Sequence, residues 1–216
     1  MKKQYVGCFR ALTEGRRDRW HFQMATAMTK LCDLARKWTT DKALYYTPFY
    51  HSLFKDRRWQ VSKVLEFGIG YPEIMRQPAS RTGAGWYITG ASLFMWQEYF
   101  QNAEIYALDN RPGILINTDR IKSFYCDQSD ENSYAEAIRQ IGTGFDFIID
   151  DGSHVPEDQL LCAKMLVPLL AEGGIYVMED APVGDNDFLA KVGHPSQVVD
   201  FNEGSADPAR LIVIRK

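Results

Sequence analysis

Between residues 24 and 38 the apolar positions Met24, Ala27, Met28, Leu31, Leu34, Ala35 and Trp38 recur at helical spacing, which predicts a helix. Residues 42–54 read as a second helix, interrupted at Pro48. Further along, the period changes. Short apolar runs of strand length at 61–67 (VSKVLEF), 105–108, 121–125, 145–149 (FDFII) and 174–178 (GIYVM) alternate with helical stretches. Those stretches are 91–100 (ASLFMWQEYF, read as amphipathic), 132–140, and 157–170 entered through Pro156. Residues 71–90, rich in Gly, Pro, Ser and Thr, read as a long loop, and loops of that length in compact domains usually carry function. Residues 197–201 and 211–215 read as a closing antiparallel pair.

Strand followed by helix, repeated, predicts a mostly parallel sheet covered on both faces. The 216 residues suit one structural domain, with 45% hydrophobic and 25% charged residues marking an ordinary globular chain. A net charge of −3 offers no general pull toward nucleic acid or an anionic membrane. With no apolar run of spanning length and no secretory apolar segment behind the basic start, the expected location is cytoplasmic. Cys8, Cys32, Cys126 and Cys162 form no C-x-x-C pair and are expected to be free thiols.

In such sheets ligands bind beyond the carboxyl ends of the strands. Those positions are polar throughout: Glu66 to Gly70 after the first strand, Asp109-Asn110-Arg111 after the second, Asp127-Gln128-Ser129-Asp130 after the third, Asp150 to His154 after the fourth, Glu179-Asp180 after the fifth. One such residue is ordinary turn or cap chemistry; five sets at one edge describe a site. Gly68 and Gly70 permit a sharp turn and close approach to a ligand. The dinucleotide fingerprint G-x-G-x-x-G fails at its third glycine, where Glu73 stands, and a pyrophosphate would meet many carboxylates and few cations. A cationic cofactor without phosphates suits this edge better. Asp109 is placed to accept from two ribose hydroxyls and Asp127 from an adenine amino group.

The segments Thr40-Asp41-Lys42 with Tyr46 and Tyr50, VLEFGIG (64–70), GASLFMWQEYF (90–100), ALDN (107–110), DQSD (127–130), DDGSH (150–154) and GGIYVMED (173–180) carry a family resemblance. The chain resembles the class I S-adenosylmethionine-dependent methyltransferases. It is similar in particular to the macrocin- and mycinamicin-type metal-dependent sugar O-methyltransferases and to the cephalosporin hydroxylase family, which shares their fold. The resemblance spans roughly residues 39–180. It implies a Rossmann-like α/β sandwich with a seven-stranded sheet in the order 3-2-1-4-5-7-6. It also implies an N-terminal helical segment, 1–58, as lid or oligomer contact, before a cofactor-binding core, 59–216. The segment after Asp180 leaves little room for a helix before the sixth strand. Cofactor contacts are expected from Glu66, Gly68, Gly70, Ser92, Asp109, Asn110, Asp127, Gln128 and Asp150.

Asp151, Glu179 and Asp180, at the ends of neighbouring strands, offer hard oxygen ligands that suit Mg²⁺, and the resemblance assigns the same three. His154, three residues past Asp151, is the expected base, since imidazoles exchange protons near neutrality; Asp151 is expected to serve catalysis beside it. The expected reaction is methyl transfer from S-adenosylmethionine to a hydroxyl of a sugar or other natural product, with Mg²⁺ lowering the hydroxyl pKa. The expected partners are a small-molecule acceptor and further copies of the chain, with no nucleic acid or membrane. The alternatives are a cephalosporin-hydroxylase-like oxidoreductase, which lacks a two-His-one-carboxylate iron set here, and a non-catalytic S-adenosylmethionine-binding protein. Asp41-Lys42 reads as a cap followed by a solvated lysine, and the resemblance alone implies a role for the pair near the cofactor. Trp86 and Tyr87 read either as core anchors or as an acceptor platform, and His21, His51 and His194 as structural or surface residues.

Overall fold

The computed structural model describes residues 11–12, 19–21, 28–81, 83, 85–183, 186–201 and 209–216. Its strands are β1 (Ala11–Leu12), β2 (Arg19–His21), β3 (Lys63–Phe67), β4 (Glu104–Asp109), β5 (Ile121–Tyr125), β6 (Phe145–Asp150), β7 (Leu170–Met178), β8 (Ser196–Phe201) and β9 (Ala209–Arg215). They form one nine-stranded sheet in the order β1-β2-β8-β9-β7-β6-β3-β4-β5. Strands β5 to β7 of that order run parallel, and β9 lies antiparallel between β7 and β8. Seven strands, from β5 to β8, therefore follow the expected order 3-2-1-4-5-7-6. β2 extends the sheet by pairing parallel with β8, and β1 pairs antiparallel with β2, an addition that the polar and basic residues 1–20 did not suggest.

Period-2 alternation sends neighbours on one strand to opposite layers. Val64, Ile105, Phe147, Ile149, Ile175 and Val177 enter a core with α1 (Lys30–Trp38), α2 (Thr47–Phe54) and α4 (Ala91–Tyr99). Leu65, Tyr106, Ile148, Tyr176 and Met178 enter the other, with α5 (Glu131–Ile141), α6 (Pro156–Leu166) and α7 (Asn186–Lys191). Helices α1 and α2 thus contribute side chains to the same core as α4.

Several boundaries differ from the sequence reading. The part of the first helix at 24–27 lies outside the described residues, as does Cys8. α1 starts at Lys30 because the Thr29 hydroxyl accepts the Cys32 N–H at 3.2 Å. Pro48, in the first turn of α2, separates that helix from a 3₁₀ turn at Asp41–Ala43. Residues 71–90 are not one loop: α3 (Pro72–Arg81) opens them. Pro72 at its first position and Glu73 in its first turn are helix-start features that the glycine and proline content concealed. α4 is buried on nearly every side, with Leu93, Met95, Trp96 and Tyr99 all at 0% exposure, because α1 covers the face that the amphipathic reading left to solvent. α7 fits between Asp180 and β8 despite the short segment. Cys32, Cys126 and Cys162 are free and buried. Among the described residues, no helix is long and apolar enough to cross a membrane.

Candidate active site

The carboxyl ends of β3, β4, β5, β6 and β7 converge on one cleft of about 300 Å³, within the lower range for small-molecule sites. Gly68 opens it. The chain turns there at φ +93°, and a Cβ would lie 2.0 Å from the Asp151 carbonyl oxygen, so glycine is required. The next residue is fixed across the strands: Ile69 N–H donates to Asp109 Oδ2 at 3.0 Å. Asp109 Oδ1 accepts from Arg111 N–H at 2.9 Å. The carboxylate is thereby aimed along the cleft with a lone pair left on each oxygen. Asp127 lines the same half of the cleft. The Ser129 N–H and hydroxyl hold it below its usual pKa.

Gln128 touches the cleft but is mainly a strut. Its Nε2 donates to Asp150 Oδ1 at 2.6 Å, and its Oε1 accepts the Ser153 N–H at 2.7 Å. A Cβ on Gly152 would meet that Oε1 at 2.1 Å. Asp150 is wholly buried behind the turn and accepts from the Tyr176 hydroxyl at 2.9 Å. Burial pushes its pKa to about 6 despite these donors. The strut forces the 150–154 turn into shape: His154 sits at φ +58°, a conformation that costs a residue with a side chain of order 1 kcal/mol. Asp180 sits in the same region at φ +50°.

These two strained residues and Asp151 face one another. His154 Nε2 lies 3.8 Å from Asp151 Oδ1 and 4.0 Å from Asp180 Oδ2. One ligand atom from each of the three falls within 4.8 Å of the others. Oxygens around an octahedral Mg²⁺ are separated by about 3 to 4 Å, so a small contraction would close the set on a divalent ion. Asp41, also lining the cleft, has its pKa raised to about 6, first by burial and then by Asp151, against the pull of Lys42.

The sequence reading and the structure part at the inner layer. Glu66, Asp150 and Glu179 are at most 1% exposed and do not line the cleft. Glu179 Oε2 accepts from Lys42 Nζ at 2.8 Å, and its Oε1 from the Tyr50 hydroxyl at 2.5 Å. Glu66 accepts from the Ser92 hydroxyl at 2.9 Å and lies 3.1 Å from Lys42 Nζ. Burial raises the Glu66 pKa to about 7 and holds Glu179 well above the carboxylate range, in both cases against the pull of Lys42. Gly70, Ser92 and Asn110 line the cleft as expected.

The burial of Lys42 was missed. The residue is 2% exposed, not solvated, and its ammonium bridges Asp151, Glu179 and Glu66. Burial alone would discharge it; the three carboxylates outweigh burial and hold its pKa above the ordinary lysine value. Tyr46 donates to Asp180, and burial with the adjacent carboxylates raises the Tyr46 and Tyr50 pKa values, so both remain donors. The available signal was spacing: Lys42, Tyr46 and Tyr50 stand four apart, the spacing of one face of a helical segment. Tyr87 lines the cleft half-buried, whereas Trp86 is 53% exposed beside it. His51 bonds the Tyr99 hydroxyl at 2.9 Å, His194 is half-buried, and His21 lies in β2.

No family model matches the chain. It is 33% identical over 156 residues to the mycinamicin VI 2''-O-methyltransferase of Micromonospora griseorubida, covering 69% of this chain and 35% of that protein. It is 33% identical over 161 residues to the demethylmacrocin O-methyltransferase of Streptomyces fradiae, covering 72% and 37%. The MycE methyltransferase of the mycinamycin pathway, solved with Mg and SAH, superposes with TM-score 0.57 and 30% identity over 72% of this chain and 38% of that one. The chain thus spans little more than a third of the length of these relatives. All three are named methyltransferases, which gives the hydroxylase alternative no support.

Proposed function

The chain belongs to the class I S-adenosylmethionine-dependent methyltransferases and resembles the macrocin and mycinamicin enzymes, and we propose that it transfers a methyl group to a hydroxyl of a sugar or other natural product. One observation carries this reading: Asp109 and the Asp151–His154–Asp180 set open onto the same cleft. The first is suited to a ribose diol and the second to a divalent ion beside an acceptor.

The chain's own residues divide the work. Gly68 and Gly70 let the backbone approach the donor, and Asp109 and Asp127 orient its ribose and adenine. Asp151 and Asp180 would hold Mg²⁺, with Glu179 behind them as a further carboxylate. A bound Mg²⁺ would supply Lewis acidity that lowers the acceptor hydroxyl pKa. His154 Nε2, 41% exposed at the side chain and facing both aspartates, takes the acceptor proton. Most of the acceleration comes from alignment of acceptor oxygen, methyl carbon and leaving sulfur. The MycE methyltransferase was solved with mycinamycin VI, which supports a natural product as the acceptor class. Self-association through the N-terminal segment belongs to the same proposal.

The test is methyl transfer from S-adenosylmethionine to a panel of glycosylated and hydroxylated acceptors, with Mg²⁺ or with EDTA. Methylated product that depends on Mg²⁺ supports the reading. Failure of the protein to bind S-adenosylhomocysteine in calorimetry sinks it.

A further inference from the structure

The Lys42 ammonium donates to Asp151 Oδ2 at 2.6 Å and to Glu179 Oε2 at 2.8 Å, and lies within ion-pair distance of Glu66 Oε1 at 3.1 Å. The opposite oxygens of the two glutamates are taken by the Tyr50 and Ser92 hydroxyls. Both oxygens of Glu179 are therefore hydrogen-bonded from inside the protein, while Glu66 has one oxygen hydrogen-bonded and the other held only by the charge of the ammonium. Asp151 is shared: Oδ2 turns inward to Lys42, and Oδ1 turns outward to His154. A cluster of buried carboxylates without a cation would spread apart or take up protons. Here a lysine threaded from the N-terminal segment joins the ends of β3, β6 and β7.

We propose that Lys42 is a resident counter-cation that keeps the carboxylate cluster assembled before a divalent ion binds and weakens the binding of that ion. It is a positioning residue. The inference rests on the reading that Asp151 and Asp180 take a divalent ion, which would then share Asp151 with the ammonium. Two cations on one carboxylate repel each other, and assembly of the empty site is obtained at the expense of metal affinity. The lysine also confines the ion to the outer oxygens, next to His154.

The experiment compares wild type with Lys42→Met, which keeps the length and loses the charge. Mn²⁺ binding is followed by calorimetry and by the electron paramagnetic resonance of free ion, and thermal unfolding is followed in EDTA and in Mg²⁺. The variant is expected to bind Mn²⁺ about tenfold more tightly. It should unfold at a lower temperature in EDTA and gain more from Mg²⁺ than wild type does. Equal or weaker Mn²⁺ binding by the folded variant overturns the inference while leaving the metal site standing. Absence of Mn²⁺ binding in both proteins removes the metal site and the inference together. Should the variant not fold, the wild-type protein decides: the ¹⁵N-labelled Lys42 ammonium resonance is expected to shift on adding Mg²⁺ and broaden with Mn²⁺. A resonance indifferent to both ions overturns the inference.

Discussion

Gly68 and Asp151 meet backbone to backbone: a Cβ on the glycine would stand 2.0 Å from the aspartate carbonyl oxygen. Asp151 N–H in turn donates to Phe67 O at 3.0 Å. The donor half of the cleft and the acceptor half are thus joined at one contact. Gly68→Ala imposes both a steric collision and a positive φ. It should destabilise the protein by roughly 2 kcal/mol or more in urea unfolding and abolish measurable S-adenosylhomocysteine binding. A variant that binds at wild-type affinity would mean that this junction does not shape the cofactor site.

Asp109→Asn keeps an acceptor for one of the two backbone N–H groups and loses the charge. S-adenosylhomocysteine affinity should fall about 10- to 100-fold in calorimetry, the usual cost of weakening hydrogen bonds to a carboxylate. Mn²⁺ affinity should not change, because Asp109 belongs to the other half of the cleft.

His154 stands both as the proposed base and as one corner of the candidate ligand set. His154→Ala separates the two roles. As base, its loss should lower kcat by about 10²- to 10⁴-fold with Mn²⁺ affinity within about twofold of wild type. A parallel collapse of Mn²⁺ affinity would reassign it as a ligand.

Glu66 makes a pH prediction. Its folded pKa is raised to about 7 by burial, from 4.5. The native state therefore binds the proton more tightly than the unfolded chain does. The stabilisation is complete below the unfolded value and is lost as pH rises through about 7. Urea unfolding should show stability declining between about pH 5 and pH 8, with Glu66 contributing on the order of 3 kcal/mol. Glu66→Gln, uncharged throughout, should reduce that slope without removing it, because burial also raises the pKa of Asp41, Asp150 and Glu179; an unchanged slope would exclude Glu66 as a source.

The strand-end motifs were legible because each is local: VLEFGIG, ALDN, DQSD and DDGSH combine a strand with the turn that ends it, and strand–helix alternation sends such turns to one edge. Helix α3 escaped because its start features stand in a segment whose glycines and prolines suggest a loop. The extension by β1 and β2 escaped because two- and three-residue strands have too few positions to show a period.

Sequence by itself determined the alternating architecture, the acidic edge and the class of cofactor, since those depend on residue type and short spacing. Only the tertiary structure decided which acids are open to the cleft and which are closed off. Glu179 and Asp180 are neighbours in the chain, yet one is tied to Lys42, 137 residues away, and the other, at φ +50°, is exposed beside His154. Burial and long-range ion pairing set that difference, and neither has a local period for a sequence to display.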